Sequence, residues 1–220
     1  MDKSGIDLIL LLLYRSKDYT IFGTTRLEKL LFLLLYEGEF EKTYKDFDFK
    51  AYNYGPWSAK VLDYVELLND EGLVTTTTQP ASQTINNLCL TEFENELTDE
   101  ESNENKIRIY NLTIDGSIVG KHLFLELNDN LKEKLDRIII KYSSFKNPEL
   151  IEYVYKNFDF FTSESLIRKQ VLGMTPEEEF KEKHPGIQID SNLFKIVGIL
   201  PKISIEEEKK LLRKVAIERL

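Results

Sequence analysis

The chain has 220 residues, 42% of them hydrophobic and 30% charged, with a formal net charge of −9. That supports a buried core in one domain with an appendage, or in two small domains, and an acidic balance is unfavourable for a surface that meets phosphates. The single cysteine, Cys89, excludes a disulfide framework, and its spacing to His122 or His184 suits no zinc site.

The charge is unevenly spread. Residues 1–125 hold 12 Lys/Arg against 21 Asp/Glu, whereas residues 126–220 hold 17 of each, so the first part carries the whole net charge.

In chain order, Ile6 to Tyr14 is apolar on nearly every side and predicts a helix packed among other elements. It is far short of the ~20 residues of a membrane span. Lys3 precedes it with no small-residue cleavage site behind it, which points to a cytoplasmic protein. Asp18-Tyr19 and Gly23 predict a turn. Thr25-x-x-Glu28 has the pattern of a capping box in front of Leu27, Leu30, Leu31 and Leu34, so a second apolar helix is expected from Arg26 to Tyr36, closed by Glu37-Gly38-Glu39. Phe47, Phe49 and Ala51 alternate with Asp48, Lys50 and Tyr52, the pattern of a half-buried strand.

Tyr54-Gly55-Pro56-Trp57-Ser58 follows. Proline lacks an N–H and has φ near the helical value, so Pro56 is expected at the first position of a helix, with Trp57 at its entrance. Val61, Val65 and Leu68 give that helix its buried side, and Gly72 supplies a left-handed stop. Leu73-Val74 and four threonines are β-prone; Thr78 to Ser82 predicts a turn, and Asn86 to Thr91 a further strand. Glu92 to Glu104 holds seven acidic residues and no basic one, the composition of an exposed loop.

Lys106 to Leu112 alternates as a strand, and Thr113 can cap a helix through Val119, Leu123 and Leu127. Further helices are expected over Leu131 to Tyr142, from Asn147-Pro148 through Phe158, and, shorter, after Thr162-Ser163. From Gly173 the composition is that of a linker, with Leu193 to Leu200 a short apolar run ended by Pro201. Ser204-x-x-Glu207 then caps a final helix with Leu211, Leu212, Val215 and Leu220 on one side. The expected fold is α+β and mostly helical: a winged-helix-like N-terminal domain (1–127), a helical extension (128–172), then linker and amphipathic helix (173–220).

The run Arg26-Leu27-Glu28-Lys29-Leu30-Leu31-Phe32-Leu33-Leu34, with Phe47-x-Phe49, Tyr54-Gly55-Pro56-Trp57-Ser58 and Gly72-Leu73-Val74, resembles the Panacea domain of SocA-like antitoxins and the related YwgA-like proteins. Leu150-Ile151-Glu152-Tyr153-Val154-Tyr155 looks like a downstream element of the same family, and the resemblance covers about residues 5–170. It implies an antitoxin or adaptor that binds a toxin and, in some members, hands it to a protease. The acidic loop and the tail after Gly173 depart from the shared core.

Candidate partner-binding residues are Arg26, Lys29, Tyr54, Gly55, Pro56, Trp57 and Ser58, with Leu211, Leu212, Val215 and Leu220 of the final helix docking on a partner, on a second copy or on the chain itself. Arg26 and Lys29 are expected either as solvated charges or in contact with a partner or the Gly55-Pro56 carbonyls. Trp57 either fills the core or, if partly exposed, binds. His122 reads as a structural histidine on an apolar side and Cys89 as an inert buried thiol. No phosphate-cradling loop, nucleophile motif or enclosed carboxylate pair is present, so neither catalysis nor a cofactor is expected. A winged helix would favour DNA by fold analogy alone. The helix that would enter the groove sets Lys60 against Asp63, Glu66, Asp70 and Glu71, so a protein partner is the preferred reading and DNA the alternative.

Overall fold

A computed structural model describes residues 4–80 and 106–187. The expected strand at Asn86–Thr91, Cys89, the acidic loop 92–104, the run Leu193–Leu200 and the helix Ser204–Leu220 lie outside the described residues. The chain divides into two compact units, Met1–Leu172 and Gly173–Leu220.

The first unit is α+β and mostly helical. Its elements are α1 (Gly5–Arg15), β1 (Thr20–Phe22), α2 (Thr24–Tyr36), β2 (Lys50–Tyr52), β3 (Gly55–Trp57), α3 (Ala59–Asp70), β4 (Val74–Pro80), β5 (Lys106–Leu112), α4 (Ile114–Glu126), α5 (Asp129–Ser143), α6 (Asn147–Asn157) and α7 (Arg168–Leu172). Strands β1, β5 and β4 form an antiparallel sheet in that order, and β2 and β3 form a separate antiparallel hairpin.

Helix α2 lies at the centre of this unit because six consecutive apolar residues, Leu30 to Leu35, leave it no polar face there. All six are buried, and Phe32 packs among the rings of Tyr36, Phe49, Phe158 and Phe161 at centroid distances of 4.6, 5.5, 4.9 and 4.9 Å. Helices α1, α5 and α6 and the sheet pack around it.

Several elements follow the sequence closely. Strand β5 has the expected bounds, Thr113 caps α4 by accepting from the Gly116 N–H at 3.0 Å, and Asn128 caps α5 through the Leu131 N–H at 2.9 Å. Helix α3 buries Val61, Val65 and Leu68 as its periodicity requires. It ends in a Schellman motif: Gly72 has φ +68°, its N–H donates to the Asn69 carbonyl at 3.0 Å, and the Leu73 N–H donates to Leu68 at 2.9 Å.

Other expectations are corrected. The Thr25–Glu28 capping box does not form: α2 starts at Thr24, two residues earlier than expected, with Gly23 at the cap and no side-chain cap, and the Glu28 side chain is buried instead. Pro56 is not the first residue of a helix but sits in β3, since its fixed φ suits extended backbone equally and its missing N–H is tolerated on this strand. The segment Asp18 to Gly23 is not only a turn, because Thr20–Phe22 pairs with β5.

Phe47 and Phe49 are buried but lie before the strand, which spans only Lys50–Tyr52. Strand β4 continues through Pro80, where a turn was expected. The helix after Thr162-Ser163 is confined to α7, and the 3-10 turn Asp159–Thr162 precedes it.

In the second unit, where the composition reads as that of a linker, Pro176–Lys183 is a helix, α8. Thr175 and Glu178 form a reciprocal capping box, Pro176 occupies the first turn, and Lys181 and Lys183 bond Glu177 and Glu179 four residues back at 2.8 and 2.9 Å.

Candidate functional site: a hairpin held by a buried lysine

Three contacts hold the β2–β3 hairpin: two fasten it to the helices and one ties its own two ends together. The first is Lys29 on α2. Its side chain is carried inward because the helix is apolar all round, and it is 1% exposed. Its Nζ donates to the Pro56 carbonyl at 2.8 Å and stands 3.9 Å from the Glu28 carboxylate. Registered opposite Ala51, and without an N–H to give the ladder, Pro56 turns its carbonyl outward from β2 toward Lys29. Burial pushes the Glu28 carboxyl up to about 7, against the lowering field of Lys29. Burial lowers Lys29 in turn, against the raising field of Glu28.

The second is Gly55, whose φ is +88° and on which a Cβ would stand 3.0 Å from the Tyr155 ring. Only glycine meets both conditions comfortably. Tyr155 on α6 is buried, its hydroxyl is 2.7 Å from Ser165 Oγ, and Ser165 Oγ donates to the Asn53 carbonyl at 3.0 Å. Tyr155 is therefore the donor to Ser165. Burial pushes the Tyr155 hydroxyl up to about 12. The Leu166 N–H adds a bond to Asn53 at 2.9 Å.

The third is Ser58, 2% exposed, which occupies the cap position of α3. Its hydroxyl does not cap the helix but donates to the Phe47 carbonyl.

Arg26, one turn before Lys29 on α2, fastens a different pair of elements. Its guanidinium donates to the carbonyls of Tyr142 and Phe145 at 3.0 and 2.8 Å and to Asn147 Oδ1 at 3.0 Å, joining the C-terminus of α5 to the first residue of α6. A planar fork at a helix C-terminus satisfies carbonyls left without intrahelical donors. Neither Arg26 nor Lys29 is a solvated charge.

The outer face of the hairpin is different in character. Alternation places Lys50, Tyr52 and Trp57 on one face and Ala51 and Pro56 on the other. Pro56 is buried, Tyr52 is 48% exposed and Trp57 is half-buried, its ring 5.0 Å from that of Tyr52. Trp57 therefore does not fill the core, because it points away from it. Tyr54 is half-buried at the turn, and the nearby Leu166 is 71% exposed.

The structure thus brings Lys29, Gly55, Pro56 and Ser58 together inside, leaves Trp57 outside beside Tyr52, and sets Arg26 apart. Leu211, Leu212, Val215 and Leu220 lie outside the described residues. His122 is exposed, contrary to the apolar placement expected of it, and His184 is exposed with its ring 4.7 Å from that of Phe180. Among the described residues no group of His, Cys, Asp or Glu is arranged to hold a metal ion, and no helix is long and apolar enough to cross a membrane.

Sequence reasoning missed Tyr155, Ser165 and Asn53, which meet only through the fold. The burial of Glu28 had a local signal: a charged pair preceding six apolar residues on a helix with no wet side.

Lys29 and the Tyr155–Ser165 pair thus hold the β2–β3 hairpin against α2 and α6. The chain belongs to the antitoxin SocA-like, Panacea-domain family, whose model matches residues 27–158 and so takes in α2 from Leu27 on, the hairpin and α6. No curated protein and no solved structure matches the chain.

Proposed function

We propose that this chain is an antitoxin that neutralises or recruits a partner protein, without catalysis of its own. Membership of the SocA-like antitoxin family over residues 27–158 carries the reading. The clamped hairpin supports it: a buried lysine, a tyrosine and a serine hold a loop that presents the exposed Tyr52 beside the half-buried Trp57, and aromatic residues are the usual anchors of protein interfaces. Tyr54 flanks this pair, whereas Arg26, Lys29, Gly55, Pro56 and Ser58 act in the reading by setting its shape. Leu211, Leu212, Val215 and Leu220 form a second contact in the same reading, on the partner or on a second copy.

The order α1-β1-α2-α3-β4-β5, with the β2–β3 hairpin inserted between α2 and α3 and with β5 between β1 and β4 in the sheet, supports a winged-helix reading of the first unit. Such a fold suggests DNA, but the exposed face of α3 carries Asp63, Glu66 and Asp70 against Lys60, and such a face repels phosphates.

The test is to express the product of the adjacent open reading frame alone and with this chain, and to titrate the two purified proteins by calorimetry. Growth arrest relieved by co-expression, with a complex that Trp57→Ala weakens, is the expected result. Absence of both rescue and complex refutes the reading.

A further inference from the structure

Strand β4 ends its sheet, and its outer edge is unpaired among the described residues. The Thr113 N–H donates to the Leu73 carbonyl at 3.0 Å, which fixes the alternation: Thr75, Thr77 and Gln79 turn their backbone groups toward β5, and Val74, Thr76 and Thr78 turn theirs outward. Thr75 to Pro80 are all exposed.

Natural edges are usually blunted by charge, a bulge or proline. Here the register runs unbroken from Val74–Leu112 to Pro80–Lys106 and no charged residue lies between Val74 and Gln79. Pro80, at an outward position without an N–H, closes only the far end.

We propose that this edge takes an extended, cationic segment of the protein partner as an added strand, an inference that rests on the partner-binding reading above. Backbone pairing gives such a contact its affinity, and the flanking surface gives it selectivity.

The flank is acidic. Asn69 Nδ2 donates to Thr76 Oγ1 at 2.9 Å, which fastens the last turn of α3 beside the strand, and Asp63, Glu66, Asp70 and Glu71 are exposed. Among the described residues none of the four has an ion-pair partner. A second copy of this chain would bring the same carboxylates to the same side of the extended sheet. A strand bearing Lys or Arg complements them.

The test uses the full chain and three fluorescein-labelled peptides: one alternating Lys with Val, one with Glu in place of Lys, and the Lys peptide N-methylated at alternate residues. Anisotropy at low salt should show the Lys peptide binding at least about tenfold tighter than the Glu peptide, weakening at about 150 mM salt, and lost on N-methylation. Thr76→Pro, which removes an outward donor, should abolish binding. Thr78→Lys, which leaves the backbone intact, should repel the Lys peptide, and Asp70→Asn with Glu71→Gln should weaken it.

Equal binding of the Lys and Glu peptides, undiminished binding of the N-methylated one, or no binding at all overturns the proposal. If the adjacent-frame product still binds Thr76→Pro as tightly as wild type, the edge is not its docking site while the partner reading stands. If that product fails to bind the wild-type chain, the partner reading itself fails.

Discussion

Lys29→Met tests whether the buried lysine holds the hairpin. The substitution keeps an unbranched side chain, one atom shorter, and removes its charge. It leaves the Pro56 carbonyl without its 2.8 Å donor and Glu28 without its counter-charge. An orphaned buried carbonyl costs about 1–3 kcal/mol, and breaking a buried pair about 3–5 kcal/mol; the two overlap, so a loss of about 4 kcal/mol is expected near neutral pH.

The pH dependence carries the argument further. The folded Glu28 carboxyl keeps its proton up to about pH 7, above its unfolded value. Its contribution to stability is therefore complete below the unfolded value and is lost as pH rises through about 7. Lys29 is lowered by burial, so its contribution runs the other way and stability is regained as pH rises toward the ordinary lysine value. Lys29→Met abolishes the second slope and moves Glu28 higher still. The deficit against wild type should thus be smallest at acid pH and widen on going to alkaline pH.

Adding Glu28→Gln removes the stranded carboxyl and should recover part of the loss, short of the share due to Pro56. Urea unfolding followed by far-UV circular dichroism and by the fluorescence of Trp57, the only tryptophan and itself on the hairpin, reads both quantities. A variant within about 1 kcal/mol of wild type across this pH range, with unchanged Trp57 emission, refutes the reasoning.

Gly55→Ala combines a left-handed φ with a contact on Tyr155, so thermal melts should show a loss of about 2 kcal/mol. Trp57→Ala, by contrast, should cost only about 1–2 kcal/mol, below the full price of a buried tryptophan, while partner affinity measured by calorimetry falls. In Glu37→Gln a different cluster is tested: burial raises the Glu37 carboxyl, but hydrogen bonds from Lys141, Tyr142 and Tyr153 and the charge of Lys141 outweigh it and hold it below its usual range. Its stabilisation is present above the unfolded value and lost as pH falls, so the variant should melt lower than wild type at neutral pH and converge with it in acid.

What the sequence determined by itself is local. Helices α4, α5 and α6 carry their caps and apolar periods within a dozen or so neighbouring residues, and the Gly72 stop of α3 depends on one glycine's access to positive φ. The family motif was legible for the same reason, since Arg26 to Leu34 and Tyr54 to Ser58 are contiguous runs. Tertiary structure decided the rest. Pro56 is equally suited to a helix start and an extended strand, and pairing with Lys50–Tyr52 chose the strand. Thr25 and Glu28 have capping chemistry, but Glu28 was drawn into the core beside Lys29 by the apolar surface on every side of α2. Trp57 faces outward because β3 alternates with a period of two, not 3.6, and that period was set by a partner strand rather than by the tryptophan's own neighbours. Asn53 meets Ser165, and through it Tyr155, across 112 residues of chain, a distance over which no sequence pattern specifies contact.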